Sequence, residues 1–259
     1  MKTHFLTIIT LCTILLVSLH TTAQEDSVSV AITNHSLDLA IETDQADHVS
    51  YPRVFGGLTF TRIEWGFSRL IDNGSFQLSE SNKFLSYSRA SNFGFDVLQA
   101  GLRFCDNFKT FLSAGVEWNY IRLEENILFD RNTSPLSYQD IDPADIAYEK
   151  NILTSTYLRV PLTFEWRSRK YANGKRSKIA FGLTTGVLLK GTQRLKSGEN
   201  GKQKFKNDYN LATFQYGPFV KVGYDRFGIF AKYYMNDMFD DSPAIKGVQN
   251  LAFGASLGF

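Results

Sequence analysis

The chain has 259 residues, a formal net charge of +2 and 22 Phe, 12 Tyr and 3 Trp, yet its mean hydropathy is −0.19. So balanced a charge excludes a dedicated nucleic-acid binder, and two cysteines exclude a disulfide scaffold. Many aromatics at a negative mean hydropathy imply apolar residues spaced at alternate positions rather than gathered in long blocks, the pattern of a membrane β-barrel wall.

Lys2 opens the chain with a positive charge, and Phe5 to Leu19 is apolar apart from small hydroxyl residues. Thr21-Thr22-Ala23 offers small residues before Gln24-Glu25-Asp26 turns polar, so residues 1–23 read as a signal peptide cleaved after Ala23. No later run approaches the length of a membrane helix. Cys12 lies inside the apolar run, not at its end where a lipid-anchored cysteine would stand, and cleavage leaves Cys105 alone and inert. Residues 24–52 are acidic and read as a partly disordered periplasmic lead-in, in which only Ser27 to Ile32 suggests a strand.

Residues 53–259 carry segments long enough to cross a bilayer as strands. The first lies within Phe55 to Arg69. Leu58 and Phe60 share one face and Ile63, Trp65 and Phe67 the other, which predicts a bulge between them. The second, Phe93 to Phe104, aligns Leu98, Ala100, Leu102 and Phe104. The third, Phe108 to Tyr120, sets Leu112, Ala114, Val116 and Trp118 against Ser113, Gly115, Glu117 and Asn119. The fourth, Ile152 to Trp166, sets Leu158, Val160, Leu162, Phe164 and Trp166 against Tyr157, Arg159, Thr163 and Glu165. The fifth opposes Ile179, Phe181, Leu183 and Val187 to Ala180, Gly182, Thr184 and Gly186, and the sixth opposes Phe214, Tyr216, Val220 and Val222 to Gln215, Gly217, Lys221 and Gly223. The seventh opposes Phe227, Ile229, Ala231 and Tyr233 to Gly228, Phe230, Lys232 and Tyr234. The eighth ends the chain, with Leu251, Phe253, Ala255, Leu257 and Phe259 on a wholly apolar face that would make an exposed edge on a soluble sandwich. Pro161 and Pro218 predict bulges or missing ladder bonds within their strands.

The connections alternate in length. Cys105-Asp-Asn107, a turn around Asn173-Gly174, and Asp225-Arg226 are the short ones. The other four span roughly 22, 30, 20 and 12 residues. Short turns at one rim and long loops at the other predict an all-β, eight-stranded antiparallel up-and-down transmembrane barrel, with the short turns and both termini periplasmic.

Tyr157-Leu-Arg-Val-Pro-Leu-Thr-Phe-Glu-Trp166 resembles the Leu-x-x-Pro-Leu strand of the PorT-like outer-membrane β-barrel proteins, and the resemblance extends architecturally over residues 53–259. It implies a barrel whose terminal aromatic, here Phe259, is read as an assembly signal by the barrel-insertion machinery. It also implies a place in the outer membrane and, in the sharpest version, an accessory role in type IX protein secretion.

All four histidines, at positions 4, 20, 35 and 48, precede the barrel segment, so a histidine-activated nucleophile is not expected there. No catalytic, cofactor or metal site is expected. Asp140, Asp142 and Asp145 have calcium-compatible chemistry but lack the ordered spacing of an EF-hand, and read as a solvated acidic loop. Lys190, Arg194, Lys196, Lys202, Lys204 and Lys206 make the next long loop basic; it could meet lipopolysaccharide or pair with the acidic loop, and reads first as plain solvated charge. Arg167, Arg169, Lys170, Lys175, Arg176 and Lys178 crowd a short turn, where they would meet phospholipid headgroups or an acidic periplasmic partner.

Glu117, Arg159, Glu165, Lys221 and Lys232 point inward on this register. Eight strands leave little interior, and buried charges must pair, so these five predict a salt-bridged plug, with a Glu117–Arg159 contact and Gly186 making room for the guanidinium. Glu165 could instead sit at a wet rim. The expected function is a non-enzymatic barrel that anchors, scaffolds or binds through its loops and rim, with outer-membrane lipids and a periplasmic or secretion-system protein as partners and no nucleic acid. A small channel and a lipid-modifying enzyme are the alternatives.

Overall fold

The computed structural model describes residues 51–59, 62–130, 133, 135–240 and 247–258. The expected signal peptide, most of the lead-in and Phe259 lie outside the described residues.

Twelve strands follow in chain order. They are β1 (Arg53–Leu58), β2 (Ile63–Asp72), β3 (Tyr87–Arg103), β4 (Phe108–Leu123), β5 (Ile127–Phe129) and β6 (Tyr138–Asp140). Then come β7 (Tyr148–Arg167), β8 (Ser177–Ser197), β9 (Gly201–Asn207), β10 (Phe214–Tyr224), β11 (Phe227–Tyr233) and β12 (Val248–Leu257). Antiparallel pairing runs β2-β12-β11-β10-β8-β7-β4, and β3 joins β4 back to β2, so the sheet closes into an 8-strand barrel with β1 and β2 sharing one wall position. Closure pairs each of the eight wall positions on both sides, while β1 pairs only with β3 and β9 only with β8.

Alternation decides which way each side chain points. On β12, Leu257 and Phe253 face outward and exposed while Asn250, Ala252 and Ser256 are buried. The same holds around the wall: Trp65, Phe67, Leu112, Leu162, Phe181, Val222 and Ile229 are exposed, and Ser68, Ser113, Thr163 and Thr184 are buried. The result is a continuous apolar band outside and a polar lumen, the inverse of a soluble fold.

One irregularity falls where the residues predict a bulge, and a second, in β3, does not follow from the alternation. The β1–β2 strand breaks between Leu58 and Ile63; β1 pairs with Leu98–Arg103 of β3 and β2 with Ser91–Phe95. Thr59 donates its N–H to the Val97 carbonyl (2.7 Å) across the break. The β3–β4 register also shifts between Asp96 and Leu98. Neither proline forms a bulge. The β4–β7 ladder skips the Pro161 step without a change of register, and the β10–β11 ladder begins only after Pro218, so each proline costs ladder bonds alone.

The strands reach further than their alternation suggested. β3 begins at Tyr87, β4 ends at Leu123 and β7 begins at Tyr148, which shortens the long connections. The basic segment expected to be a loop is instead sheet: β8 runs on to Ser197 and pairs with β9. The 3-10 turn Glu80–Leu85 and the β5–β6 hairpin fold over the same rim.

Candidate functional site in the barrel interior

Midway along the lumen, six charged side chains from six wall positions converge. Arg159 on β7 is the centre. Its Nη1 lies 2.5 Å from Glu64 Oε2 on β2 and 3.3 Å from Glu117 Oε2 on β4, while its Nε and Nη2 lie 2.9 and 2.7 Å from Asp96 Oδ1 on β3. Lys232 on β11 bridges Glu64 (2.9 Å) and Glu117 (2.7 Å). Lys221 on β10 pairs with Glu64 Oε1, and the Tyr234 hydroxyl donates to Glu117 Oε1. Three carboxylates meet three cations, so the cluster is neutral, and charge-assisted bonds offset the desolvation that would otherwise forbid it.

A second cluster lies nearer the short-turn rim. Glu165 is only 2% exposed and takes Lys109 (3.2 Å), Arg167 (2.6 Å) and, more loosely, Arg62 (3.9 Å). Arg62 and Lys109 also lie over the Phe111 ring, 4.3 and 4.8 Å from its centre, so their cations rest on an aromatic face. One carboxylate faces three cations here, and the excess sits where Arg62 and Arg167 remain partly exposed.

Towards the other rim the lumen turns to amides and then to hydrocarbon. Asn92 and Asn250 donate to Asn119 Oδ1 (2.7 and 3.3 Å), and Asn119 in turn reaches Ser155 Oγ (3.4 Å). Above them Leu70, Ala90, Ile121, Leu153 and Val248 from the wall pack with Phe84, Leu85, Phe129, Tyr209, Leu211 and Phe239 from the connections in one apolar core. β5 is fastened to this lid by side chains. Gln193 accepts from the Phe129 N–H (3.0 Å) and donates to the Ile127 carbonyl (3.1 Å), which also accepts from Asn151 (2.9 Å). Among the described residues, a pocket between the charge clusters and another under the lid beside Asn250 each hold about 20 Å³, room for a water molecule and no more.

The structure thus places Glu117, Arg159, Glu165, Lys221 and Lys232 inside the barrel, and brings Glu117, Arg159, Lys221 and Lys232 into one cluster with Glu165 in the other. Glu165 is not at a wet rim, because Lys109, Arg167 and Arg62 enclose it. The Glu117–Arg159 contact is present but is the longest of the three that Arg159 makes. Gly186 does stand opposite Arg159, yet the space beside it is taken by Gln215, and the guanidinium lies instead over Gly94 of β3. Sequence reasoning missed Glu64, Asp96, Arg62, Lys109 and Arg167. The alternation of β4, which places Glu117 inward, extends to Lys109 and could have found it; Asp96 and Arg62 are hidden by the bulge and the strand break. Phe259 lies outside the described residues.

A family model described as "Outer membrane protein beta-barrel domain" matches residues 53–236. Among solved structures, the chain is similar to "Ail, the attachment invasion locus protein of Yersinia pestis, in complex with the heparin analogue sucrose octasulfate". That likeness is 14% identical, covers 77% of this chain and 97% of that one, and has a TM-score of 0.31. No curated protein matches the chain.

Proposed function

The chain belongs to the outer membrane protein β-barrel domain family and resides in the outer membrane, and from that premise we propose that it is a sealed, non-enzymatic anchor that binds through its rims rather than a pore. The observation that carries this reading is the filled lumen. Every strand position around the wall sends charged, amide or apolar groups inward, and these engage one another instead of lining a path. A conducting barrel of this strand number would need its interior side chains to stand aside, and a neutral cluster held by three-way charge contacts resists that. The absence of histidine after position 48 supports a non-enzymatic role.

In this reading the long-connection rim, with its apolar core and strand extensions, faces outward, and the short turns face the periplasm. The turn between β7 and β8 then offers the exposed Arg169 and Lys170, beside a half-buried Arg176 that donates to the Asp106 carbonyl (2.9 Å), to phospholipid headgroups or to an acidic periplasmic protein. An accessory role in type IX secretion is the sharpest form of this proposal, supported by the resemblance of Tyr157 to Trp166 to the PorT-like strand. The experiment is crosslinked pull-down from outer membranes, with secretion assayed in a deletion strain. Recovery of a secretion component that is lost on changing Arg169, Lys170 and Arg176 to glutamine supports the accessory reading. Unchanged secretion with no captured partner removes it.

A further inference from the structure

Above the apolar band, one outer face of the wall is basic. Gln193 and Leu195 turn inward, so Arg194 and Lys196 on β8 turn outward. Across the β8–β9 ladder Arg194 stands opposite Lys204, Lys196 opposite Lys202, and Lys206 opposite Thr192. Across the β7–β8 ladder Lys196 also stands opposite Lys150. Directly opposed like charges destabilise a sheet, and here they occur in three adjacent pairs: Arg194 with Lys204, Lys196 with Lys202, and Lys196 with Lys150. The expected pairing with the acidic loop is not made: Asp140, Asp142 and Asp145 form no ion pair with this face among the described residues, and Glu149, on Lys196, is the carboxylate that does. The Lys204 ammonium is held below the ordinary lysine range, first by the charge of Arg194, then by desolvation and by Lys206 and Lys190.

Height matters as much as charge. Val187 and Leu189 on β8, with Phe214 and Tyr216 on β10, are the exposed edge of the apolar band, and Lys190 follows Leu189 directly. We propose that the β7–β8–β9 face docks the phosphate-bearing sugar headgroups of glycolipid in the outer leaflet. Strands stand about 5 Å apart, so the opposed cations form closely spaced pairs on which one phosphate can sit, Arg194 offering a planar fork and the lysines point charges. The repulsion built into the empty sheet is relieved when phosphate arrives. A soluble polyanion would explain the charge but not its position at the edge of the band.

The proposal rests on the outward orientation of the long-connection rim, and the test separates the two. The full chain is folded in neutral detergent and titrated with bisphosphorylated lipid A or with the same lipid dephosphorylated, following the temperature at which its heat-modifiable gel band converts. The phosphorylated lipid is expected to raise that temperature, the dephosphorylated lipid to leave it unchanged, and high salt to abolish the rise. Replacing Lys190, Arg194, Lys202, Lys204 and Lys206 by glutamine is expected to weaken the effect by roughly tenfold or more. The same variant should unfold at a higher temperature in detergent alone, since two of the three like-charge oppositions, Arg194 with Lys204 and Lys196 with Lys202, are gone. If the fivefold variant does not fold, Arg194→Gln and Lys204→Gln are read singly. Equal response to both lipids, an unweakened variant, or equal affinity for inorganic polyphosphate would overturn the assignment. Lipid binding that survives while orientation labelling places this face in the periplasm would overturn only the orientation.

Discussion

Glu64, Asp96 and Glu117 reach the Arg159 guanidinium from three different strands, so removing it leaves three carboxylates facing Lys221 and Lys232. Arg159→Ala is expected to cost about 3–5 kcal/mol, the usual penalty for stranding a buried charge, read as earlier conversion of the heat-modifiable band. Arg159→Lys keeps the charge but loses the fork and should fall between the two. Double-mutant coupling of Arg159 to Glu64 should exceed that to Glu117, because the Glu64 contact is 2.5 Å against 3.3 Å while each carboxylate keeps two other partners, Lys232 with Lys221 for Glu64 and Lys232 with Tyr234 for Glu117. Equal couplings would refute this ranking. Gly94→Ala approaches the same group from β3: a Cβ there would lie 2.6 Å from Nη1, so the variant should lose stability in the wild-type background and little in Arg159→Ala. The inward positions of Glu117, Arg159, Lys221 and Lys232 were legible because each lies in an unbroken stretch of alternation. Asp96 was not, because the register shift beside Val97 turns it inward although it shares parity with the outward Leu98. Arg62 lies in the break between β1 and β2, where alternation gives no face at all.

At the level of elements, the three short turns were legible because each separates two strands of opposite periodic phase with turn residues of fixed chemistry. Asp225 and Gly174 take positive φ (57° and 76°), as tight reversals require. The long connections were less legible, because above the apolar band the wall no longer faces acyl chains and alternation with an apolar outer face is no longer required. Leu153, Ser155 and Thr156 are all buried within β7, so burial there ceases to alternate. Basic residues that read as a loop are then free to continue as β8 and β9, held by backbone pairing. Cys105 sits exposed in the turn between β3 and β4 and provides a native probe of orientation. Intact cells treated with a membrane-impermeant maleimide should leave it unlabelled, and permeabilised cells should label it. A protease site inserted at Ser197-Gly198, in the β8–β9 turn, should be cut from outside, whereas one at Asn173-Gly174 should not. The reverse pattern in both experiments would place the long connections in the periplasm.

For the molecule as a whole, the lumen is closed twice. The charge cluster around Arg159 lies across its middle, and the apolar core of Phe84, Phe129, Tyr209, Leu211 and Phe239 lies across the long-connection mouth. The two closures use different physics. The lid is hydrophobic packing that depends on chain segments outside the wall, while the cluster is built from wall residues alone and needs no loop to hold it. Replacing residues 127–140 by a short Gly-Ser linker removes Ile127, Phe129 and Leu136 from the lid core, and leaves Gln193 and Asn151 without the β5 backbone groups they bind. That variant should unfold at lower temperature, since buried apolar contacts are lost, but the cluster beneath it should remain. Both the wild type and the shortened variant are therefore expected to leave a planar bilayer silent. Discrete conductance steps from the wild type would contradict a sealed lumen. Steps from the shortened variant alone would assign the seal to the lid and leave the charged cluster a stabilising role only.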